Sequence, residues 1–208
     1  SPAAKLIGAC NTVVVKDGKL IGNNTDGVGF LRSLGEHYAQ PLSESIFVCL
    51  GAGGAARAIC SSLAYRGAAK IIVSSLFDWE SEQLVQDINA NFAPVASMIP
   101  WGEQQTLLHA AEPADMIINA TGVGMGAHVG ESPVDKAIFR PGMVAFDAAY
   151  NPSVTKFLAD AADCGCTTFN GLGMLLYQGT AQFELWTGTQ APVDLMRQTL
   201  EESIGSKA

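Results

Sequence analysis

Apolar residues in this chain come in short blocks, and the blocks fall into two arrangements. Upstream of residue 45 they alternate with turn residues. Two brief apolar runs within 11–22 flank Asp17-Gly18, a pair that favours a tight reversal, so the spacing predicts a hairpin. Asn23-Asn24-Thr25-Asp26-Gly27 follows. Val28, Leu31 and Leu34 then recur at helical spacing, with Thr25 or Asp26 placed to cap that helix. Beyond residue 45 the pattern changes. Ile46 to Leu50 is a continuous apolar run, as expected of a strand covered on both faces. Further strands are predicted at 70–73, 95–99, 116–119, 143–146 and 167–169, and helices at 56–65, 79–91, 153–163, 172–186 and 193–203. Strand and helix in regular alternation imply an α/β domain built on a mostly parallel, doubly wound sheet.

Composition narrows the class. The chain has 208 residues, 48% hydrophobic and 15% charged, enough for one packed α/β domain or a domain with part of another. Its apolar runs are far shorter than the ~20 residues a membrane helix needs, so no membrane partner is expected. Ser-Pro-Ala-Ala-Lys-Leu-Ile-Gly at the start has no basic stretch leading into an apolar one, hence no signal peptide is read there. With no initiating Met, a start inside a longer polypeptide is expected. The net charge of −8 disfavours nucleic acid. The five cysteines are an odd number with one C-x-C pair, which fits reduced thiols in a cytoplasmic protein. His37, His109 and His128 lack partners at metal-ligand spacing, and no metal is expected.

The strongest chemical signal is Gly51-Ala52-Gly53-Gly54-Ala55-Ala56, which ends one predicted strand and opens a helix. That is the setting of a dinucleotide loop: Gly51 for the turn, Gly53 where backbone must approach a pyrophosphate, and free N–H groups at the helix start. Ala56 stands where such loops have a final glycine, a place that needs only a small residue for helix–strand packing. A ribose contact belongs at the end of the next strand. There the sequence is Val73-Ser74-Ser75-Leu76-Phe77-Asp78, so Ser74 is the candidate, with Asp78 equally suited to cap a helix or to accept from a ribose. Asn119-Ala120-Thr121-Gly122-Val123-Gly124-Met125 ends a later strand and suits either a loop beside a nicotinamide ribose or an ordinary turn. By spacing alone Asn11, Asp26 and Gln178 form no set.

Taken together, these segments resemble the shikimate/quinate dehydrogenase family. The resemblance rests on Gly8-Ala9-Cys10-Asn11-Thr12, Asn24-Thr25-Asp26-Gly27, the glycine loop, the 119–125 segment, Tyr150-Asn151-Pro152 with Thr155, Asn170 to Gly179, and Phe183 to Gly188. It implies two α/β lobes around a cleft, the second a Rossmann-like domain that binds NAD or NADP. By resemblance Asn11, Asp26, Tyr150 and Gln178 are substrate-facing, and Asp26 is the acidic half of a catalytic Lys–Asp pair. Gly51, Ala52, Gly53, Gly54 and Ala55 hold the pyrophosphate. Ser74, Asn119, Thr121, Val123, Gly171 and Met174 flank the rest of the cofactor. Asp26 at a helix start is expected to stay ionised. The implied domains are the end of a truncated substrate lobe at 1–24, the dinucleotide domain at 25–190, and a helix at 191–208 returning to the substrate lobe.

Departures from the family pattern matter. The family's lysine and its carboxylate-gripping hydroxyls lie upstream of Gly8, so the chain by itself is expected to bind cofactor weakly to moderately and turn over little. Ser74-Ser75-Leu76 replaces an Asn-Arg-Thr/Arg clamp for a 2′-phosphate, which favours NAD over NADP. Asn170 stands where an Asp is common. The implied activity is reversible reduction of 3-dehydroshikimate to shikimate, or of 3-dehydroquinate to quinate, by a monomer or homodimer. A non-catalytic dinucleotide-sensing module or inactive fragment is the competing reading, and the intact Asn11, Asp26 and Gln178 weigh against it.

Overall fold

A computed structural model describes residues 1–205. Helix α1 (Pro2–Ile7) opens the chain, with the Ser1 hydroxyl accepting from the Ala4 N–H and Pro2 in the first turn. Strands β1 (Thr12–Lys16) and β2 (Lys19–Asn23) form a separate antiparallel ribbon. Asp17 and Gly18 both have positive φ, 51° and 72°, which gives the right-twisted hairpin the Asp-Gly pair predicted. Helix α2 (Asp26–His37) begins where expected, but its cap differs. Neither Thr25 nor Asp26 supplies a capping side chain. Thr25 turns its hydroxyl to Asn11, and the Asn24 Oδ1 accepts from the Asp26 N–H instead.

The remaining elements build the sheet. They are β3 (Ile46–Leu50), α3 (Gly54–Tyr65), β4 (Lys70–Ser74), α4 (Asp78–Asn91), β5 (Ala96–Met98), α5 (Gln104–Ala111), β6 (Met116–Asn119), β7 (Val144–Asp147), α6 (Lys156–Asp163), β8 (Thr167–Asn170), α7 (Leu172–Thr187) and α8 (Val193–Gly205). Six parallel strands lie in the order β5-β4-β3-β6-β7-β8. The chain therefore reverses direction across the sheet between β3 and β6, and ligands of such sheets bind outside the carboxyl ends at that switch point. The continuous apolar run of β3 now has its reason. Phe47 and Cys49 enter one core, with residues of α2, α3, α4 and α7, while Val48 and Leu50 enter the other, with residues of α5 and α6. Each such side chain, once fully buried, contributes about 1.5–3 kcal/mol.

Two expected elements shorten. The helix predicted at 153–163 starts only at Lys156, after a cis Asn151–Pro152 bond and a Thr155 side chain that accepts from the Leu158 N–H. The strand predicted at 95–99 shortens to the three residues of β5, bracketed by Pro94 and Pro100. The outward N–H and C=O of Ala96 are both taken by the Asn89 side-chain amide, each at 2.9 Å. Helices α1 and α5 are additions, although Leu107 and Ala111, buried one turn apart, carry the helical spacing that marks α5. The final residues of the expected 191–208 segment, 206–208, lie outside the described residues. No helix among the described residues is long and apolar enough to cross a membrane.

Helices α2 and α7 approach closely at two glycines. A Cβ on Gly29 would stand 2.5 Å from the Met174 carbonyl oxygen and 2.8 Å from the Gln178 nitrogen, and one on Gly173 would stand 2.4 Å from the Ser33 Oγ. Gly35, on the exposed face of α2, has nothing within 4 Å. Gly29→Ala is therefore expected to cost about 1–3 kcal/mol in urea unfolding. By contrast, Gly35→Ala should gain about 0.5–1 kcal/mol. Equal effects of the two substitutions would contradict this account of the crossing.

Candidate active site

The α2–α7 crossing decides where the polar residues meet. Asn11 sits just before β1, Asp26 in the first turn of α2 and Gln178 midway along α7, and the fold gathers all three. The Asn11 Nδ2 donates to the Asp26 Oδ1 at 2.8 Å and lies 3.1 Å from the Thr25 Oγ1 and 3.4 Å from the Gln178 Oε1. An amide nitrogen has only two hydrogens, so the contact with Gln178 is the weakest of these. The Asn11 Oδ1 accepts from the Thr12 hydroxyl at 2.7 Å and from the Thr25 N–H at 3.0 Å, which locks the amide orientation. Gln178 also accepts from the Gln182 Nε2 at 2.8 Å.

Asp26 takes part in no ion pair among the described residues. Burial pushes its carboxyl above the ordinary value, and the Asn11 hydrogen bond offsets this only in part. The helix start favours the ionised form, and burial works against it. Tyr150 lies apart from this cluster, half exposed, on the loop after β7.

The glycine loop divides into two kinds of residue. Gly51 has φ 106°, and a Cβ there would come within 2.7 Å of the Ala120 carbonyl oxygen, so the close approach of β3 to the end of β6 requires glycine. Ala52 and Ala56 are buried, with Ala56 fully enclosed beneath the helix. Gly53 and Gly54 are different: both are exposed, both have open space around them, and neither has a positive φ. Packing gives no reason for glycine there. With half-buried Ala55 they form the start of α3, which no side chain caps, and the first N–H groups of a helix lack intrahelical partners. Such a bare helix end suits an anionic group.

Ser74, buried at the end of β4, lines a cavity of about 400 Å³ with Pro100, Trp101, Leu107, Ser132 and Ile138. Asp78 does not cap α4; its Oδ1 accepts from the Trp101 N–H at 3.2 Å and ties the start of α4 to the loop after β5. The Ser75 hydroxyl is spent on the Phe77 carbonyl and Ser81. From 71 to 135 the chain has no Lys or Arg. This region offers a nucleoside a polar and aromatic lining with no cation for an added phosphate.

Asn119 and Thr121 use their side chains to build the loop after β6. The Asn119 Oδ1 accepts from the Thr121 N–H and hydroxyl, its Nδ2 donates to the Val123 carbonyl at 3.0 Å, and the Thr121 Oγ1 accepts from the Val123 N–H. These bonds hold the loop in shape from within. A Cβ on Gly171 would fall 2.0 Å from the Ala148 carbonyl oxygen, which gives this glycine a packing reason of its own, and Met174 lies in the core beneath α7. Asn170 fixes the same corner: its Nδ2 donates to the Ser153 carbonyl and its Oδ1 accepts from the Leu172 N–H. Sequence reasoning missed Asp147, a fully buried carboxylate at the end of β7, because a single acidic residue after an apolar run is ordinary at a strand end.

These features match known proteins over nearly the whole chain. The profile of the Shikimate 5'-dehydrogenase C-terminal domain matches residues 171–201. Shikimate dehydrogenase (NADP(+)) of Desulforamulus reducens is 43% identical over 205 residues, which is 98% of this chain and 70% of that protein. The protein of the same description from Moorella thermoacetica is 42% identical over 207 residues, 100% of this chain and 70% of its own. Among solved structures, shikimate 5-dehydrogenase from Listeria monocytogenes in complex with shikimate and NAD superposes with a TM-score of 0.89 at 38% identity, covering 96% of this chain and 70% of that one. Quinate dehydrogenase from Corynebacterium glutamicum in complex with NAD gives 0.86 at 31%, covering 97% and 71%. With its dinucleotide-type sheet, glycine loop and these relatives, the chain belongs to the shikimate dehydrogenase family of oxidoreductases.

Proposed function

We propose that this protein catalyses the NAD-dependent, reversible reduction of 3-dehydroshikimate to shikimate, with Asn11, Asp26 and Gln178 facing the cyclic hydroxy acid. The observation that carries this reading is the convergence of these three residues, the first and last 167 positions apart, at one point. A plain dinucleotide-sensing module has no use for such a set. The Listeria structure was solved with shikimate and NAD. Quinate is the second reading, supported by the likeness to the Corynebacterium quinate dehydrogenase.

The bound cofactor would donate a hydride as NADH in the reduction and accept one as NAD in the reverse direction. The residues of the chain do the rest. Gly51 to Ala55 cradle the pyrophosphate, with the open space at Gly53 and Gly54 as the fit, and the uncapped start of α3 offsets its charge. Ser74 borders the adenosine ribose from the cavity it lines. The loop built by Asn119, Thr121 and Val123, together with Gly171 and Met174, borders the nicotinamide half. On the substrate side Asn11 and Gln178 hold ring hydroxyls and Tyr150 lines the cleft. Asp26, held by Asn11 and raised in proton affinity, is the acid half of a Lys–Asp pair that moves the hydroxyl proton. Residues 1–24 are assigned to the C-terminal end of the substrate lobe, 25–190 to the dinucleotide domain, and α8 to a return towards the substrate lobe.

NAD is preferred because the stretch 71–135 holds no Lys or Arg to pair with a 2′-phosphate. The curated relatives from Desulforamulus and Moorella have NADP(+) in their descriptions, so the test is direct. In calorimetric titration NAD is expected to bind at least about tenfold more tightly than NADP, since a phosphate left without its cation forfeits about 1.5–3 kcal/mol. Tighter NADP binding would reverse the assignment.

In the active enzyme Asp26→Asn is expected to lower kcat by about 10²-fold or more while NAD affinity stays within about twofold; an unchanged kcat removes Asp26 from the mechanism. The same substitution tests the effect of burial on this carboxyl. A folded-state pKa above the unfolded one means the folded protein holds that proton more tightly, so the Asp26 contribution to stability falls as pH rises from the ordinary carboxylate value through the raised one. Urea unfolding should therefore show the stability of Asp26→Asn, relative to the parent, increasing with pH across that window. A relative stability of Asp26→Asn that falls with pH would contradict the raised pKa.

A further inference from the structure

Two loops flank the carboxyl end of β6 and β7. One, 119–124, borders the cofactor in the reading above, and the other, 148–155, carries Tyr150. Asp147 lies between them, with none of its surface exposed. Its Oδ2 accepts from the Asn119 Nδ2 at 3.1 Å and from the Thr155 hydroxyl at 2.6 Å, and its Oδ1 accepts from the Ala149 N–H at 2.9 Å. One donor belongs to the residue that builds the first loop, and the other two belong to the second. The loops also touch directly: a Cβ on Gly124 would stand 3.2 Å from the Thr155 Cβ. Among the described residues no cation pairs with the carboxylate. These three donors hold it, and burial pushes its proton affinity up against them. Desolvating a carboxylate is costly unless hydrogen bonds compensate. An apolar residue would fill the place at less cost but would link nothing.

We propose that Asp147 is a positioning residue that couples the 119–124 loop to the 148–155 loop, so that dinucleotide binding at the first sets the place of Tyr150 in the second. This rests on the cofactor reading above. An Asn at 147 has one oxygen where the site needs acceptors on both sides. Either the Ala149 N–H or the Asn119 and Thr155 donors would then face an NH₂ group.

Hydrogen exchange of the chain with and without NAD tests the coupling. In the parent, NAD is expected to slow exchange at 51–56 and, by about threefold or more, at 148–155. In Asp147→Asn the slowing at 51–56 should persist and that at 148–155 should vanish. A purely structural Asp147 would lower Tm yet leave the pattern of NAD protection intact, and that result overturns the proposal. Protection at 51–56 without any at 148–155 in the parent overturns it too. No protection at 51–56 in the parent overturns the cofactor reading and the coupling together. Should Asp147→Asn fail to fold, Thr155→Val removes the hydroxyl that reaches Asp147, while Thr155→Ser keeps it. Loss of 148–155 protection in the first and its retention in the second is the expected outcome; the same behaviour in both refutes the coupling.

Discussion

Packed helices ordinarily keep their axes about 8–10 Å apart because side chains fill the gap. Where α2 crosses α7, glycine removes that filling at two points: Gly29 lies against the backbone of Met174 and Gln178, and Gly173 against the Ser33 side chain. The buried Ser33 Oγ has no hydrogen-bond partner among the described residues, a cost accepted at the tightest point of the contact. This approach assembles the polar set proposed to face the substrate. It sets Gln178 beside the start of α2, where Asp26 and the Asn11 amide already meet. Larger residues at 29 or 173 would force the two helices apart, and the polar set with them.

The sheet plays the same part for the cofactor side. Parallel strands buried on both faces fix the ends of β3, β6 and β7 in one plane, and backbone contacts at Gly51 with Ala120 and at Gly171 with Ala148 hold the connecting loops close to it. Polar side chains then shape those loops internally. Asn119, Thr121, Asp147, Thr155 and Asn170 bond mainly to neighbouring loop atoms, which fixes the shape of the loops from within. Loops held in this way need little reordering when a ligand arrives.

Much of this was legible in the residue pattern, for identifiable reasons. Strands 46–50 and 116–119 are continuous apolar runs, and the structure returns them unchanged as β3 and β6. Asp17-Gly18 forms its reversal because both residues accept positive φ. The glycine loop was readable because a strand-to-helix turn with bare glycines has few other uses. The capping at α2 was misassigned since Asn24, Thr25 and Asp26 are all capable, and only the tertiary contact of Thr25 with Asn11 decides among them. Asp78 could not be resolved because its partner, the Trp101 N–H, is 23 residues away. The meeting of Asn11 with Gln178 depends on a helix crossing that no local spacing encodes, and resemblance alone pointed to it.

The outer border of the sheet at β5 has a further consequence. An open strand edge is a template on which other chains can add, and proteins with long bare edges tend to aggregate. Here the border is three residues, bounded by two prolines, and Asn89 occupies both outward groups of Ala96 as a neighbouring strand would. One carboxamide thus imitates the next rung of the ladder, and on this flank stacking into ribbons or fibrils finds no foothold.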